Sequence, residues 1–162
     1  MYIVRIGLVC VILVTQVISG CPNGWETFDG SCYFIIGITE DWLAASDTCG
    51  LFHAHLAVVE DELENNFLKQ IINKYHYGQI NDRFYWLGAT DVFVEGDWRW
   101  QSSGHRLNYT NWGPADPNNL HDQDCMLAEF TNTHFFWIDR GCSEKHSFVC
   151  EINDGSDAVI IG

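Results

Sequence analysis

The chain opens on an apolar stretch, MYIVRIGLVCVILVTQVISG, interrupted by one cation, Arg5, and closed by the small residues Ser19 and Gly20. A positive start, an apolar centre and a small-residue end predict a secretory signal peptide over residues 1–20, cleaved near Gly20 and taking Cys10 with it. No later apolar run is long enough to span a bilayer, so the mature chain is expected to be soluble and extracellular. CPNGWETFDGSCYFI then alternates turn residues with aromatics, the pattern of a short hairpin closed by a Cys21–Cys32 disulfide. Thr39 precedes EDWLAASDTCGLF, where Trp42, Ala45, Cys49 and Phe52 recur at helical spacing with Gly50 near the end. EDELENNFLKQIINKY repeats that pattern more strongly. Leu63, Phe67 and Ile71 stand one turn apart, and acidic residues fill the first turn, where the helix dipole favours them.

Beyond residue 83 the character changes. RFYWLGATD, DWRWQ, DCMLAEF, HFFWID and HSFVCEI are short, aromatic and β-branched, and separated by Gly, Asn, Asp and Pro, so the second half is expected to be β structure. Trp98, Trp100, Trp112 and Trp137 are assigned to its core, where strands of this kind bury aromatics. One irregular section, about residues 101–123, contains WGPADPNNLHDQDC. Loops of this length are usually functional or disordered, and the flanking Trp112 and Cys125 argue for order.

Six cysteines follow the leader: Cys21, Cys32, Cys49, Cys125, Cys142 and Cys150. An even count in an oxidising compartment reads as three disulfides, with fifteen connectivities open; no CxxC pair supports a metal-thiolate site. The full chain carries a formal charge of −14, and loss of Arg5 makes the mature chain more acidic. Nucleic acid is therefore an unsuitable partner, while acidity suits either calcium or mineral contact or simple solubility. No nucleophile elbow or activated-cysteine motif is present, so no enzymatic activity is expected. His53 and His55 form an HxH pair without a third ligand and read as structural; His121 reads as an exposed loop residue. Asn108 begins the sequon Asn-Tyr-Thr, a glycosylation acceptor in a secreted chain.

WLGATD, EGDWRW, NWGPADPNN, QDC, FFWIDRGC and FVCEI, in this order with the six cysteines, resemble the C-type lectin domain in its long, three-disulfide form, and most of all the perlucin-like secreted lectins of invertebrates. The resemblance covers about residues 21–152, giving a leader (1–20), one lectin domain and a short tail (153–162). It implies an α+β fold, with two helices packed on short antiparallel sheets and a long calcium and ligand loop. It also implies the pairs Cys21–Cys32, Cys49–Cys150 and Cys125–Cys142. Closing the 49–150 loop would remove unfolded-state entropy equivalent to roughly 4–5 kcal/mol.

The family's sugar-binding calcium site maps onto Asp116, Asn118, Gln123, Ile138 and Asp139, and the resemblance implies a cis peptide bond before Pro117. Calcium prefers six to eight hard oxygen ligands. Asp116, Asn118 and Asp139 suit it; Gln123 offers only a neutral carbonyl and Ile138 offers none, so a weakened site is expected. A second calcium position maps onto Asp91, Glu95, Asn119 and Asp124, where turn and strand-end roles are the competing explanation for Asp91, Glu95 and Asp124. The acid-Pro-amide order matches mannose-type better than galactose-type selectivity. The resemblance thus implies a secreted, calcium-dependent lectin for glycans. The alternative is a shell-matrix or biomineralisation protein that binds mineral or protein, its sugar site degraded.

Overall fold

The computed structural model describes residues 20–79, 83–120, 122–131 and 134–153. The expected leader up to Ser19, His121 and the tail beyond Asn153 lie outside them. The chain folds in the order β1 (Glu26–Phe28), β2 (Ser31–Glu40), α1 (Trp42–Gly50), β3 (His55–Leu56), α2 (Glu62–Gln79), β4 (Phe84–Thr90), β5 (Arg99–Trp100), β6 (Cys125–Phe130), β7 (Phe135–Arg140) and β8 (His146–Asn153).

The expected hairpin turns at Asp29 and Gly30, whose φ angles of 43° and 82° are both left-handed. That matches the twist of the flanking strands and lets Phe28 pair with Ser31 across a two-residue loop. The Cys21–Cys32 disulfide closes it as predicted. β2 then runs on to Glu40 along β8, so Thr39 is still in a strand and the α1 cap is Asp41, which accepts from the Ala44 amide at 2.9 Å. Helix α1 buries Trp42, Ala45 and Cys49. Phe52 falls past its end, where it is 45% exposed and packs edge-on against Trp25 and Phe34.

Helix α2 is where the predicted and observed faces differ. Leu63 is 69% exposed; the buried stripe comprises Glu64, Asn65, Leu68, Ile71 and Ile72, with Phe67 stacked on Phe28. The rotation has a polar cause. Tyr33 donates its hydroxyl to Glu64, and the Trp137 indole donates to Asn65 Oδ1 at 3.1 Å, so two hydrophilic residues point inward because partners await them there.

The strands join into one mixed sheet in the order β1-β2-β8-β4-β6-β7, with β3 beside β8 and β5 beside β4. Most pairs are antiparallel, as expected of short antiparallel sheets, but β4 and β8 run parallel, Trp86 opposite Phe148. A larger core cluster includes Tyr33, Leu68, Ile72, Trp98, Trp100 and Trp137, with Trp112 packed against it. A smaller one gathers Trp42, Leu127, Ile138 and Phe148 around the Cys49–Cys150 bridge. Gly88 lets β4 pass beneath Leu56: a Cβ there would stand 2.6 Å from the Leu56 carbonyl oxygen. The core thereby holds β6 and β7, paired in register, under the irregular section between Trp100 and Cys125.

Candidate functional site

The long loop is fastened to the sheet at β7. Trp112 bridges to Trp137; the Gly113 amide donates to the Trp137 carbonyl at 2.8 Å, and the Trp137 amide donates to Asn111. The Cys125–Cys142 disulfide ties the start of β6 to the end of this region. The loop therefore sits on a fixed base.

From that base β7 presents Asp139, which is fully buried. Its Oδ2 accepts from the Asn118 and Asn119 amides at 2.8 and 2.6 Å, drawing the loop down just after the cis Asp116–Pro117 bond. Its Oδ1 is buried with no hydrogen-bond partner. The Asn118 side-chain amide donates to Asp116 Oδ1 at 2.6 Å. Burial raises the Asp116 pKa above the ordinary carboxylate range, contact with Asp139 raises it further, and Arg140 and Asn118 oppose the rise. Two carboxylates set against one another, one with a stranded oxygen, call for a proton or a cation between them.

Asp116, Asn118, Gln123 and Asp139 are thus brought into one neighbourhood. Gln123 Oε1 accepts from the Leu120 amide at 3.1 Å, and its own amide donates to Asn119 Oδ1. Ile138 brings carbon instead of oxygen: its Cγ2 and Asp116 Oδ2 both border the space above Gly113, 3.8 and 3.2 Å from where a Cβ would stand.

The second predicted set is arranged around Asp91, which is 4% exposed. Its amide donates to the Asp124 carbonyl, its Oδ2 accepts from Gly96, and its Oδ1 is the other buried oxygen lacking a partner. Burial pushes its pKa up, and Asp124 and Asp139 contribute to the rise. Asp91, Asp124 and Asp139 likewise raise the exposed Glu95, after a larger desolvation effect. Asn119 adopts a left-handed φ of 47°, and its partners are Asp139 and Gln123 of the first set. Among the described residues no three His, Cys, Asp or Glu side chains cluster closely enough to hold a metal by themselves. The donor chemistry still fits a hard cation: carboxylates with stranded oxygens, supplemented by the Asn118, Asn119 and Gln123 carbonyls, are oxygen ligands of the kind calcium takes.

His55 bonds through Nδ1 to the Leu56 carbonyl, as a structural histidine does, and His53 occupies a left-handed turn at φ 56°. Asn108 is exposed. Two acids had no functional signal in the sequence: Glu64 and Glu151 line a cavity of about 400 Å³ with Tyr33, Glu60 and His105.

Residues 38–152 match the family described as Lectin C-type domain. The chain belongs to the C-type lectin family. Among its C-type lectin relatives, perlucin of Haliotis laevigata is 31% identical over 134 residues, covering 82% of this chain and 83% of its own length. C-type lectin domain family 17, member A, of Homo sapiens is 36% identical over 131 residues, covering 81% of this chain, which spans only 32% of that longer relative. The C-type lectin domain of murine dendritic cell inhibitory receptor 2, solved in complex with N-glycan, superposes with a TM-score of 0.72 at 26% identity, covering 83% of this chain and 99% of its own. No helix among the described residues of this C-type lectin is long and apolar enough to cross a membrane.

Proposed function

We propose that this chain is a secreted, calcium-dependent lectin that binds mannose-type glycans through Asp116, Asn118, Gln123 and Asp139. The observation that carries the reading is the pair of facing carboxylates, Asp116 and Asp139, set beside the Asn118 amide on a loop that Asp139 itself pins. A calcium held there would take two vicinal sugar hydroxyls as ligands. The side chains supply the remaining recognition. Asp116 can only accept a hydroxyl proton, whereas Asn118 can both donate and accept, so their order selects hydroxyl geometry. Asp91, Glu95, Asn119 and Asp124 would hold a second calcium that fastens the loop. Cleavage of residues 1–20 and a glycan at Asn108 belong to the same reading, as does an absence of enzymatic activity.

Calorimetric titration with calcium and then mannose tests it. Sugar heat that appears only with calcium, disappears with chelator and is lost in Asp116→Ala is expected. No calcium-dependent heat with mannose or any other neutral sugar would refute it.

A second reading rests on Gln123 and Ile138, which remove a charge and an oxygen from the set. In it the acidic domain binds calcium mineral or matrix proteins, and the sugar site is vestigial. It requires adsorption to calcium carbonate that mannose does not compete, and a gain of sugar binding in the Gln123→Glu, Ile138→Asn double variant.

A further inference from the structure

Along α2, Glu62, Asn65, Asn66 and Lys69 fall at i, i+3, i+4 and i+7 and so share one polar face of the helix. That face and the segment holding Tyr109 and Asn111 border a groove of about 200 Å³ at the outer margin of β7, the last strand of the sheet. None of these residues belongs to either calcium set. Two carboxamides in the groove have one end fixed by the protein and the other turned outward. An indole N–H can only donate, so Asn65 gives Oδ1 to Trp137 at 3.1 Å and points Nδ2 the other way. A main-chain carbonyl can only accept, so Asn111 gives Nδ2 to Phe135 at 2.7 Å and points Oδ1 away. Asn65 is 5% exposed, and its Nδ2 makes no hydrogen bond among the described residues. Only Asp91 Oδ1 and Asp139 Oδ1 are sealed in there without a partner, so the Asn65 Nδ2 opens on the groove. A donor set this deep without a bond in the protein calls for a partner from outside.

The rest of the wall is aromatic. His134, just before β7, and Phe136 within it stack their rings at 5.3 Å and 14°, and Tyr109 stands edge to face with Trp137 at 5.5 Å. Glu62 and Lys69 bring one charge of each sign, and Asp61 stands beside Glu62, so an anion gains nothing here. The margin of β7 is closed to an added peptide strand as well. The Trp137 N–H is given to Asn111, and the Phe135 and Trp137 carbonyls accept from Asn111 Nδ2 and the Gly113 amide. The chemistry left is that of a small neutral ligand with an apolar face and hydroxyl groups.

We propose that this groove is a second carbohydrate site, which takes one neutral pyranose ring and needs no calcium. The C–H face of the ring packs on the aromatic wall, and its hydroxyls, which both donate and accept, answer Asn65 Nδ2 and Asn111 Oδ1. An aromatic wall with a few fixed polar groups is the usual make-up of a small-molecule site. At about 200 Å³ the groove is smaller than drug-sized pockets of roughly 300–1,000 Å³, which suits a single ring. The site stands independently of the calcium-dependent reading above.

The test is a titration of the isotope-labelled chain, in excess chelator, with methyl mannoside, methyl glucoside and methyl N-acetylglucosaminide, followed at the Trp137 indole N–H resonance. At least one of them is expected to give a saturable shift with a dissociation constant of about 1–10 mM, as a small ligand on an open groove does. Asp116→Ala should leave that titration unchanged. His134→Ala removes a surface ring, and Asn65→Asp keeps an oxygen for the indole while removing the amide donor. Each should weaken binding about five-fold, the worth of a ring contact or one hydrogen bond. If Asn65→Asp does not fold, His134→Ala carries the test alone. The groove is overturned as a site by no saturable shift in chelator, by binding lost in Asp116→Ala, or by a titration that either folded groove variant leaves unaltered. Binding seen only with calcium overturns it too, and leaves the calcium-dependent reading standing.

Discussion

Stability should fall as pH rises from about 4.5 to about 7 in chelator-containing buffer. Glu64 and Glu151 are 9% and 4% exposed, and burial pushes both carboxyls from 4.5 up to about 7. Hydrogen bonds oppose the rise: Tyr33 and the Glu60 amide for Glu64, and chiefly the Val58 amide for Glu151. Both groups are easier to protonate in the folded chain than in the unfolded one. Their stabilising contribution is complete below pH 4.5 and lost as pH climbs through about 7. The loss is about 3 kcal/mol per group, and less than twice that for the pair, because repulsion from Glu151 is part of what raises Glu64. Asp91 and Asp116, also raised, add to the slope. Glu26 and Asp97, whose pKa values are lowered by Lys74 and Arg99, act below this window. Urea denaturation at pH 5, 6, 7 and 8 would measure the slope, with Glu64→Gln as the control that should flatten it. A chelated protein equally stable at pH 5 and 8, or an unaltered slope in Glu64→Gln, would refute the reasoning.

Calcium at one hundred times its dissociation constant should raise unfolding stability by about 2.7 kcal/mol and protect residues 112–124 from proteolysis, and Asp139→Ala should abolish the protection. Removing the 49–150 crosslink with Cys49→Ala and Cys150→Ala should cost about 4–5 kcal/mol, read as a lower urea midpoint. Gly88→Ala should cost about 3 kcal/mol by driving a methyl into the Leu56 carbonyl, also visible in the urea midpoint.

The elements with local chemistry were legible in advance. Asp29-Gly30 announces its own turn, and the period of α2 announces a helix. Its setting was not legible, because Glu64 and Asn65 point inward for partners that lie 31 and 72 residues away. Strands β3 and β5 have two residues each and exist through β8 and β4. The same limit applies to the site. The family resemblance nominated Asp116, Asn118 and Asp139, but the anchoring of the loop by Asp139 is made with backbone amides, which leave no mark in a sequence.

The indole rings along the base of the loop have an optical consequence. Trp98 and Trp112 meet edge to face at 4.8 Å, Trp112 and Trp137 at 6.0 Å, and Trp100 and Trp137 at 6.2 Å. Chromophores this close share their excitation, so their near-ultraviolet dichroism depends on the relative orientation of the rings and not on each ring alone. Trp137 is locked to α2 and Trp112 opens the loop, so any shift of the loop against the sheet rotates one transition dipole against the other. The molecule carries its own unlabelled gauge of loop position, readable in the band of four adjacent indoles.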